Sequence, residues 1–84
     1  MTERKAWLKD EILYHNFLYW VLNCTEISDH QFDALEHEYG EGKHPFGIPN
    51  KDDVYPKHIL ARAEKYHANE MDSARQNGWI QGNQ

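Results

Sequence analysis

The sequence has very few cysteines and no long hydrophobic run. Cys24 is the only cysteine among the 84 residues, so no disulfide can form within the chain, and we expect a reducing compartment. The longest uninterrupted apolar run, 17–22, is far shorter than the roughly 20 residues that cross a bilayer. The polar start at residues 1–5 is not followed by the apolar segment of a signal peptide. These absences predict a soluble cytoplasmic protein that makes no membrane contact.

Length and composition predict one small domain. At 84 residues the chain is near the lower size at which a hydrophobic core alone holds a fold. Hydrophobic residues make up 39% of the sequence and aromatic residues 13%, so a few large side chains must supply the core. A large buried active-site cleft is therefore not expected.

Basic residues are scarce in the middle of the chain. The formal net charge is -5, and residues 26–53 carry eight acidic residues against two lysines. Binding to a phosphate backbone depends on several Lys or Arg contacts, so we expect no direct binding to nucleic acid. A partner at this acidic segment should be cationic.

Hydrophobic spacing predicts an all-α fold with three helices and a helix-turn-helix corner. The predicted helices span 2–22, 28–39 and 56–77, with an irregular Gly/Pro loop over 40–55 and a polar tail over 78–84. The residues expected to face inward are Leu8, Ile12, His15, Leu18, Tyr19, Leu22, with Leu13, Phe17, Trp20 and Val21 as a second row, then Phe32, Leu35, His37, Tyr39, Ile59, Leu60, Ala63, Tyr66, His67, Met71 and Ala74.

Local signals define the corner and the helix ends. Asn23 favours side-chain bonds to the backbone over a continued helix, so the first helix should end there. Ser28 and Gln31 have the spacing of a capping box at the start of the second helix. Gly40 and Gly78 are expected to end the second and third helices. Three apolar residues are expected to anchor the intervening loop, namely Phe46, Ile48 and Val54.

The corner brings carboxylates and aromatic rings together. Asp29 and Asp33 are one helical turn apart, and Tyr19 and Trp20 end the preceding helix. This combination suits a small polar ligand with an aromatic part. Each residue also has a structural interpretation, because an acid in the first helical turn stabilises the helix and large aromatic side chains commonly belong to the core.

The stretch from Tyr19 to Leu35 resembles the N-terminal Ia domain of bacterial NAD-dependent DNA ligases. The core of that motif reads Ile-Ser-Asp-x-x-(aromatic)-Asp-x-Leu, preceded by Tyr-(His or Tyr)-Val. The matching positions are Tyr19, Val21, Glu26, Ile27, Ser28, Asp29, Asp33 and Leu35, with Phe32 as a near match. The resemblance extends weakly to Leu8 upstream and to Lys43, His44, Pro45 and Pro49 downstream, so it covers about half of the chain.

The resemblance implies a ligand and its contacts. The family's Ia domain holds the nicotinamide mononucleotide (NMN) half of NAD, with an aromatic ring against nicotinamide and carboxylates on its amide and ribose hydroxyls. In this sequence, the resemblance implies that the matching ligand contacts are Tyr19, Asp29 and Asp33. Trp20 replaces the family's His or Tyr, and Phe32 replaces a Tyr and so lacks a hydroxyl group. The expected ligand is therefore NAD or NMN, bound by Tyr19, Trp20, Asp29, Phe32 and Asp33.

The resemblance also implies that the chain is not an enzyme by itself. Nucleotidyl transfer in this family needs a Lys-x-Asp-Gly nucleophile, and Lys51-Asp52-Asp53 is not that motif. We therefore expect a non-catalytic Ia-like module that acts with an adenylation domain or a ligase partner, as an accessory part of a split ligase. A viral or mobile-element origin is suggested by the compact chain, and would place it in the host cytoplasm.

Two alternatives give the chain other roles. A protein-interaction module would have lost the nucleotide and kept the scaffold, with the face around Phe17, Trp20 and Val21 used for self-association or for inhibiting a ligase. A metal site would use His30, Asp33 and His37, which recur at positions i, i+3 and i+7. Cys24 has no identifiable base in the sequence and is not expected to be a nucleophile.

Overall fold

The computed structural model describes residues 2–40, 49, 51 and 53–80, and these contain helices and no strand. The all-α prediction is confirmed. There are four α-helices in the described residues: α1 (Thr2–Phe17), α2 (Asp29–Gly40), α3 (Lys57–Tyr66) and α4 (Ala68–Gln76). A π-helical turn (Leu18–Leu22) continues α1.

The end of α1 lies at the centre of the fold. α1 contacts α2 and α3, and the π-helical turn contacts α4. Residues 14–18 of this segment are buried around the whole helix rather than along one stripe. α1 is therefore covered on more than one side. The core cluster consists of Tyr14, Phe17, Leu18, Val21, Leu22, Tyr55, Ile59, Leu60, Ala63, Met71, Ala74 and Ile80.

The π-helical turn changes which residues face solvent. The backbone N–H groups of Asn23 and Cys24 both donate to Leu18 O, and Asn23 adopts the left-handed conformation at φ 57°. Asn tolerates this conformation better than most residues. A π-helical turn advances less per residue than an α-helical turn, so the 3.6-residue period no longer holds. Tyr19 and Trp20 are therefore exposed, and the prediction that they face the core is wrong.

α1 and α2 run antiparallel, as their polar contacts show. The guanidinium group of Arg4, near the start of α1, donates to both carboxylate oxygens of Glu38, near the end of α2, at 2.5 and 2.8 Å. Lys5 lies over the ring of Tyr39 at 5.0 Å. No described residue of α2 is fully buried. Of the four residues predicted to face inward, Phe32, Leu35 and Tyr39 are half-buried and His37 is exposed.

The predicted third helix is divided at His67. Its backbone has φ -141° and ψ 48°, which ends α3 and begins α4. The break directs the His67 imidazole toward Cys24 and Glu26 in the connector, where it makes polar contacts. The buried residues predicted on this helix are confirmed, with the exceptions of Tyr66, which is exposed, and His67, which is half-buried.

The segment before α3 is only partly described. Tyr55 is buried, whereas Val54 is 71% exposed, so the prediction that Val54 anchors the loop is wrong. Phe46 and Ile48 lie outside the described residues. Gly78 has a positive φ of 82° and follows α4, as the predicted helix stop requires. Over the described ranges, no helix is long and apolar enough to cross a membrane.

Candidate functional site

A cleft of about 300 Å³ lies at the corner between the π-helical turn, the connector and α2. This volume is at the lower end of the range for small-molecule pockets. All five residues predicted to contact a ligand line it. Seven further residues complete the lining, namely His15, Asn16, Thr25, Glu26, Ile27, Ser28 and Glu36.

One wall of the cleft is aromatic. Tyr19 and Trp20 are 53% and 43% exposed, and their rings meet edge to face with centroids 5.3 Å apart. Their positions follow from the π-helical turn, which directs them away from the core. The same pair also borders a neighbouring cleft of about 350 Å³, together with Asn23, Cys24 and Thr25. Large aromatic surfaces are thus available from two sides.

The facing wall comes from the first turns of α2. The backbone N–H of Gln31 donates to Ser28 Oγ at 3.1 Å, and the backbone N–H of Ser28 donates to Gln31 Oε1 at 2.9 Å. The predicted capping box is confirmed, and it fixes where α2 begins. Asp29 and Asp33 are exposed on this wall, and Phe32 between them is half-buried.

His15 and Asn16 form a buried part of the lining. The His15 side chain is 7% exposed, and its Nε2 lies 3.6 Å from Glu11 Oε1. Among the described residues, its Nδ1 atom has no hydrogen-bond partner. Burial lowers the pKa of His15, and Arg62 acts in the same direction, whereas Glu11 and Glu26 oppose the shift. The imidazole is thus held in its neutral form.

Glu26 joins the cleft to the rest of the fold. Its Oε2 accepts a 2.6 Å hydrogen bond from the Tyr14 hydroxyl and lies 2.7 Å from His67 Nε2. Burial raises the pKa of Glu26, but the bonds from Tyr14 and His67 outweigh it, so the pKa lies below its usual range. Burial also raises the pKa of Tyr14, as does Glu26. The charged carboxylate therefore accepts from a neutral phenol.

Cys24 has a histidine neighbour that the sequence does not reveal. Its Sγ lies 3.8 Å from Nδ1 of His67, 43 residues away in the chain. The expectation that Cys24 has no identifiable base is therefore wrong. Burial raises the pKa of the Cys24 thiol, and the charges of Glu70 and Glu26 add to this effect. The environment favours the thiol over the thiolate, which is the nucleophilic form.

The cleft lining is strongly acidic. Its described residues include four carboxylates, Glu26, Asp29, Asp33 and Glu36, and no Lys or Arg. His15 adds no positive charge near neutral pH because burial lowers its pKa. The arrangement suits a ligand that has aromatic surface, hydrogen-bond donors and a positive charge.

The residues missed by the sequence interpretation were close to recognised ones. Glu26, Ile27 and Ser28 belong to the matched motif, but their pattern predicts only a connector and a helix cap. His15 lies four residues before Tyr19, which is the spacing of neighbours along one side of a helix. That spacing was a usable signal for His15. No comparable spacing in the sequence marks Asn16 or Glu36 as cleft residues.

Two alternative sites are not supported by the geometry. His30 and His37 are two helical turns apart, about 10 Å along the axis. Within the described part of the chain, no group of three or more His, Cys, Asp or Glu side chains is placed to hold a metal ion. Phe17 and Val21 are buried in the core, and only Trp20 of the proposed self-association face is exposed. The three therefore do not form one surface.

Part of the chain is similar to DNA ligases. It is 47% identical to the DNA ligase of Phocaeicola vulgatus over 45 residues, which are 51% of this chain and 7% of the ligase. The identity is 55% over 31 residues with the enzyme of Natranaerobius thermophilus, covering 37% of this chain and 5% of the ligase. It is 43% over 47 residues with that of Roseiflexus sp., covering 54% of this chain and 6% of the ligase.

These matches relate part of the chain to DNA ligases. About half of the chain is related in sequence to a short segment of DNA ligase, and the chain spans only a small fraction of these relatives. No protein-family model and no solved structure matches the chain.

Proposed function

We propose that this protein is a non-catalytic Ia-like module that binds NAD through its nicotinamide mononucleotide half. One observation carries the proposal: the five residues that the family resemblance assigns to the ligand come from two helices and line a single cleft. The local similarity to DNA ligases supports the ligase-related part of the proposal.

The chemistry of the walls fits the parts of this ligand. The nicotinamide ring packs against Tyr19 and Trp20, since aromatic side chains favour stacked or edge-to-face contacts. Asp29 and Asp33 accept hydrogen bonds from the carboxamide and the ribose hydroxyls, and bonds to charged acceptors are the stronger kind. Phe32 contributes apolar surface without a hydroxyl group. A cleft of about 300 Å³ suits one half of a dinucleotide better than the whole.

A separate adenylation domain supplies the reacting lysine in this proposal, on the same or on another polypeptide. Lys51 is followed by Asp52 and Asp53 rather than by the x-Asp-Gly of the family nucleophile. The module therefore holds and orients the nicotinamide half, and the adenylate half extends beyond the cleft toward that domain. Cys24 and His67 play no part in this role.

A second candidate function is binding to a protein partner without a nucleotide. The exposed rings of Tyr19 and Trp20 favour it, because exposed aromatic residues are enriched at interfaces. The two candidates make different predictions. A protein-interaction module captures a ligase domain or self-associates in the absence of nucleotide, and its affinity is unchanged by NMN.

Isothermal titration with NMN and with NAD tests the proposed function. Both should bind, and Asp29→Asn and Asp33→Asn should each weaken binding about tenfold or more, which is the size expected for a hydrogen bond to a charged group. Asp72→Asn is the matched control, because Asp72 is an exposed carboxylate on α4 outside the cleft. Absence of heat at millimolar ligand, with and without an adenylation domain, would overturn the proposal.

A further inference from the structure

We propose that Cys24, His67 and Glu26 form a nucleophile–base–carboxylate triad in which the Cys24 thiol accepts an acyl group from a neutral aromatic ester. This activity goes beyond the proposed function and does not depend on nicotinamide binding. It rests on the order in which the three side chains contact one another, on the hydrogen bonds that hold the carboxylate, and on a cleft beside the thiol.

The three side chains contact one another in the order that nucleophilic catalysis requires. Cys24 Sγ lies 3.8 Å from His67 Nδ1, and His67 Nε2 lies 2.7 Å from Glu26 Oε2. The thiol and the carboxylate therefore contact opposite nitrogens of one imidazole, which is the arrangement of a catalytic triad. Contacts of this kind are often long in a ligand-free protein and shorten when the substrate binds.

The hydrogen bonds around Glu26 determine where the protons lie. Glu26 accepts from the Tyr14 hydroxyl, and the pKa of Glu26 lies below its usual range, so the carboxylate is charged. A charged carboxylate favours the neutral imidazole with its proton on Nε2, which leaves the Nδ1 lone pair of His67 facing Cys24. Burial raises the pKa of the Cys24 thiol, so its proton stays on sulfur until His67 accepts it.

Backbone contacts hold the thiol and the base in place. Cys24 directly follows the left-handed Asn23 at the end of the π-helical turn, and its N–H donates to Leu18 O. His67 lies at the break between α3 and α4, where its N–H donates to Ala63 O and its carbonyl oxygen accepts from the Met71 N–H. The His67 side chain is only 17% exposed. The imidazole is therefore fixed before any substrate binds.

A cleft of about 350 Å³ lies beside the thiol. Cys24 is half-buried, and the other described residues that line this cleft are Tyr19, Trp20, Asn23 and Thr25. An acyl donor in the cleft can therefore reach the sulfur atom.

The lining indicates the class of substrate. The exposed rings of Tyr19 and Trp20 offer a surface for an aromatic group. Asn23 and Thr25 carry N–H and O–H donors of the kind that stabilise a developing oxyanion. The charges of Glu26 and Glu70 act on the thiol, and the same charges disfavour an anionic substrate. A neutral ester with an aromatic part fits these features.

The reaction is an acyl transfer without any change in oxidation state. The Cys24 sulfur forms a bond to the carbonyl carbon of the ester while its proton moves to His67 Nδ1, and the Glu26 carboxylate stabilises the imidazolium. The bond between the carbonyl carbon and the leaving oxygen then breaks, and His67 returns the proton to that oxygen. The products are a thioester on Cys24 and a free alcohol or phenol.

Acylation of the intact protein by 4-nitrophenyl acetate tests the inference, with a blocked peptide of residues 21–27 as the reference. The peptide contains Cys24 and Glu26 but no histidine. Near neutral pH the protein should react at least about tenfold faster, since general-base catalysis typically contributes about 100-fold or more and the raised thiol pKa offsets part of it. An equal or slower rate in the protein overturns the inference, because burial of the thiol alone predicts that result.

Mass spectrometry identifies the acceptor. One acetyl group should appear on Cys24 at the rate of 4-nitrophenolate release, and Cys24→Ser should lose this fast phase. Acetylation of other residues at that rate, with Cys24 unmodified, contradicts the proposal.

Two histidine variants test the base. His67→Gln cannot take up the thiol proton and should reduce the rate to that of the peptide or below. His58→Gln is the matched control, because His58 is an exposed histidine on α3 that pairs with Asp10 instead. Equal rates in the two variants overturn the role of His67. Thermal unfolding of both variants shows that the folded protein is being compared.

NMR of the imidazole nitrogens tests the positioning role of Glu26 without any substrate. In the unmodified protein the His67 proton should lie on Nε2, and a proton on Nδ1 overturns the inference because Nδ1 could not then accept from Cys24. Glu26→Ala should lose this preference and slow the acylation. Glu26→Gln keeps an acceptor oxygen and should retain more of both.

Trp20→Ala tests the class of substrate. Loss of the indole should slow acylation at low ester concentration about 2- to 10-fold, the range expected for an aromatic contact. Trp7→Ala is the control, because Trp7 is similarly exposed but lies outside this cleft. Equal rates in the two variants contradict the preference for an aromatic ester. None of these outcomes bears on NMN binding, which is measured separately.

Discussion

The hydroxyl group of Tyr14 donates a 2.6 Å hydrogen bond to Oε2 of Glu26, which ties the centre of α1 to the connector beside the cleft. Tyr14 is fully buried, and its ring also lies 3.9 Å from the guanidinium carbon of Arg62 on α3. His67 approaches the same carboxylate oxygen from the junction of α3 and α4. Glu26 thus couples the position of the connector to three helices.

Replacing Tyr14 with Phe should destabilise the fold. The variant keeps the buried ring and removes one hydrogen bond to a charged acceptor, so the free energy of unfolding should fall by about 1 to 3 kcal/mol. Urea unfolding measures this change. Tyr66→Phe is the control, because Tyr66 is 61% exposed and its replacement should stay within about 0.5 kcal/mol. If Tyr14→Phe and Tyr66→Phe lower the free energy of unfolding equally, the Tyr14–Glu26 bond does not stabilise the fold as predicted.

Replacing Ser28 with Ala should weaken the start of α2. The variant removes the oxygen that accepts from the Gln31 N–H, and loss of such a cap costs about 1 kcal/mol. Ser73→Ala, an exposed position on α4, should be neutral or slightly stabilising, since Ala has the higher helix propensity. Urea unfolding of both variants gives the comparison, and an unchanged midpoint for Ser28→Ala would contradict the capping assignment.

Stability should fall as the pH is lowered from 7 to 5, because of His15. Burial lowers its pKa in the folded state, so the unfolded chain, in which a histidine titrates near about 6.5, binds more protons over this interval. The contribution is fully present above about pH 6.5 and is lost progressively as the pH falls toward the folded pKa. The pKa of Glu26 is also lowered. The stability that Glu26 contributes is lost only at more acidic pH, below its ordinary pKa of 4.5.

Unfolding curves at several pH values measure this effect. His15→Gln should flatten the pH dependence of stability between pH 7 and 5, whereas His58→Gln should retain it, since the His58 side chain is 61% exposed. If the free energy of unfolding of His15→Gln still falls between pH 7 and 5, a group other than His15 takes up the proton.

Trp20→Ala should reduce ligand affinity with little effect on stability. The indole is 43% exposed and stands in the cleft wall, so its removal costs stacking, expected to weaken NMN binding about tenfold. Trp7→Ala is a matched control, because Trp7 is 46% exposed on α1 and lies outside the cleft lining. Titration calorimetry and thermal unfolding of both variants test this. A similar loss of affinity in Trp7→Ala would argue against a specific site.

Features controlled by neighbours in the chain could be predicted from the sequence. The Ser28–Gln31 capping box depends on residues three apart, and the spacing of Asp29 and Asp33 follows once α2 is recognised. The burial of Ile59, Leu60 and Ala63 follows from helical periodicity. These local rules place Asp29, Phe32 and Asp33 together at the start of α2, whereas the full set of five ligand contacts comes from the family resemblance.

Features controlled by tertiary contacts could not be predicted. The π-helical turn exposes Tyr19 and Trp20, and no period in the sequence marks it. The contact of His67 with Glu26 joins residues 41 apart and accompanies the break between α3 and α4. The burial of His15 Nδ1 without a hydrogen-bond partner among the described residues is also a property of the packed fold. Only the folded chain shows these relationships.

The most direct test of the central claim is a heteronuclear NMR titration of the protein with nicotinamide mononucleotide. We expect the backbone amide signals of Tyr19, Asp29 and Asp33 and the Trp20 indole signal to shift together along one saturating curve, while the amide signals of α4 at residues 72–76 stay in place. No shift at millimolar ligand, or shifts confined to α4, would contradict the assignment of this cleft to the nicotinamide nucleotide.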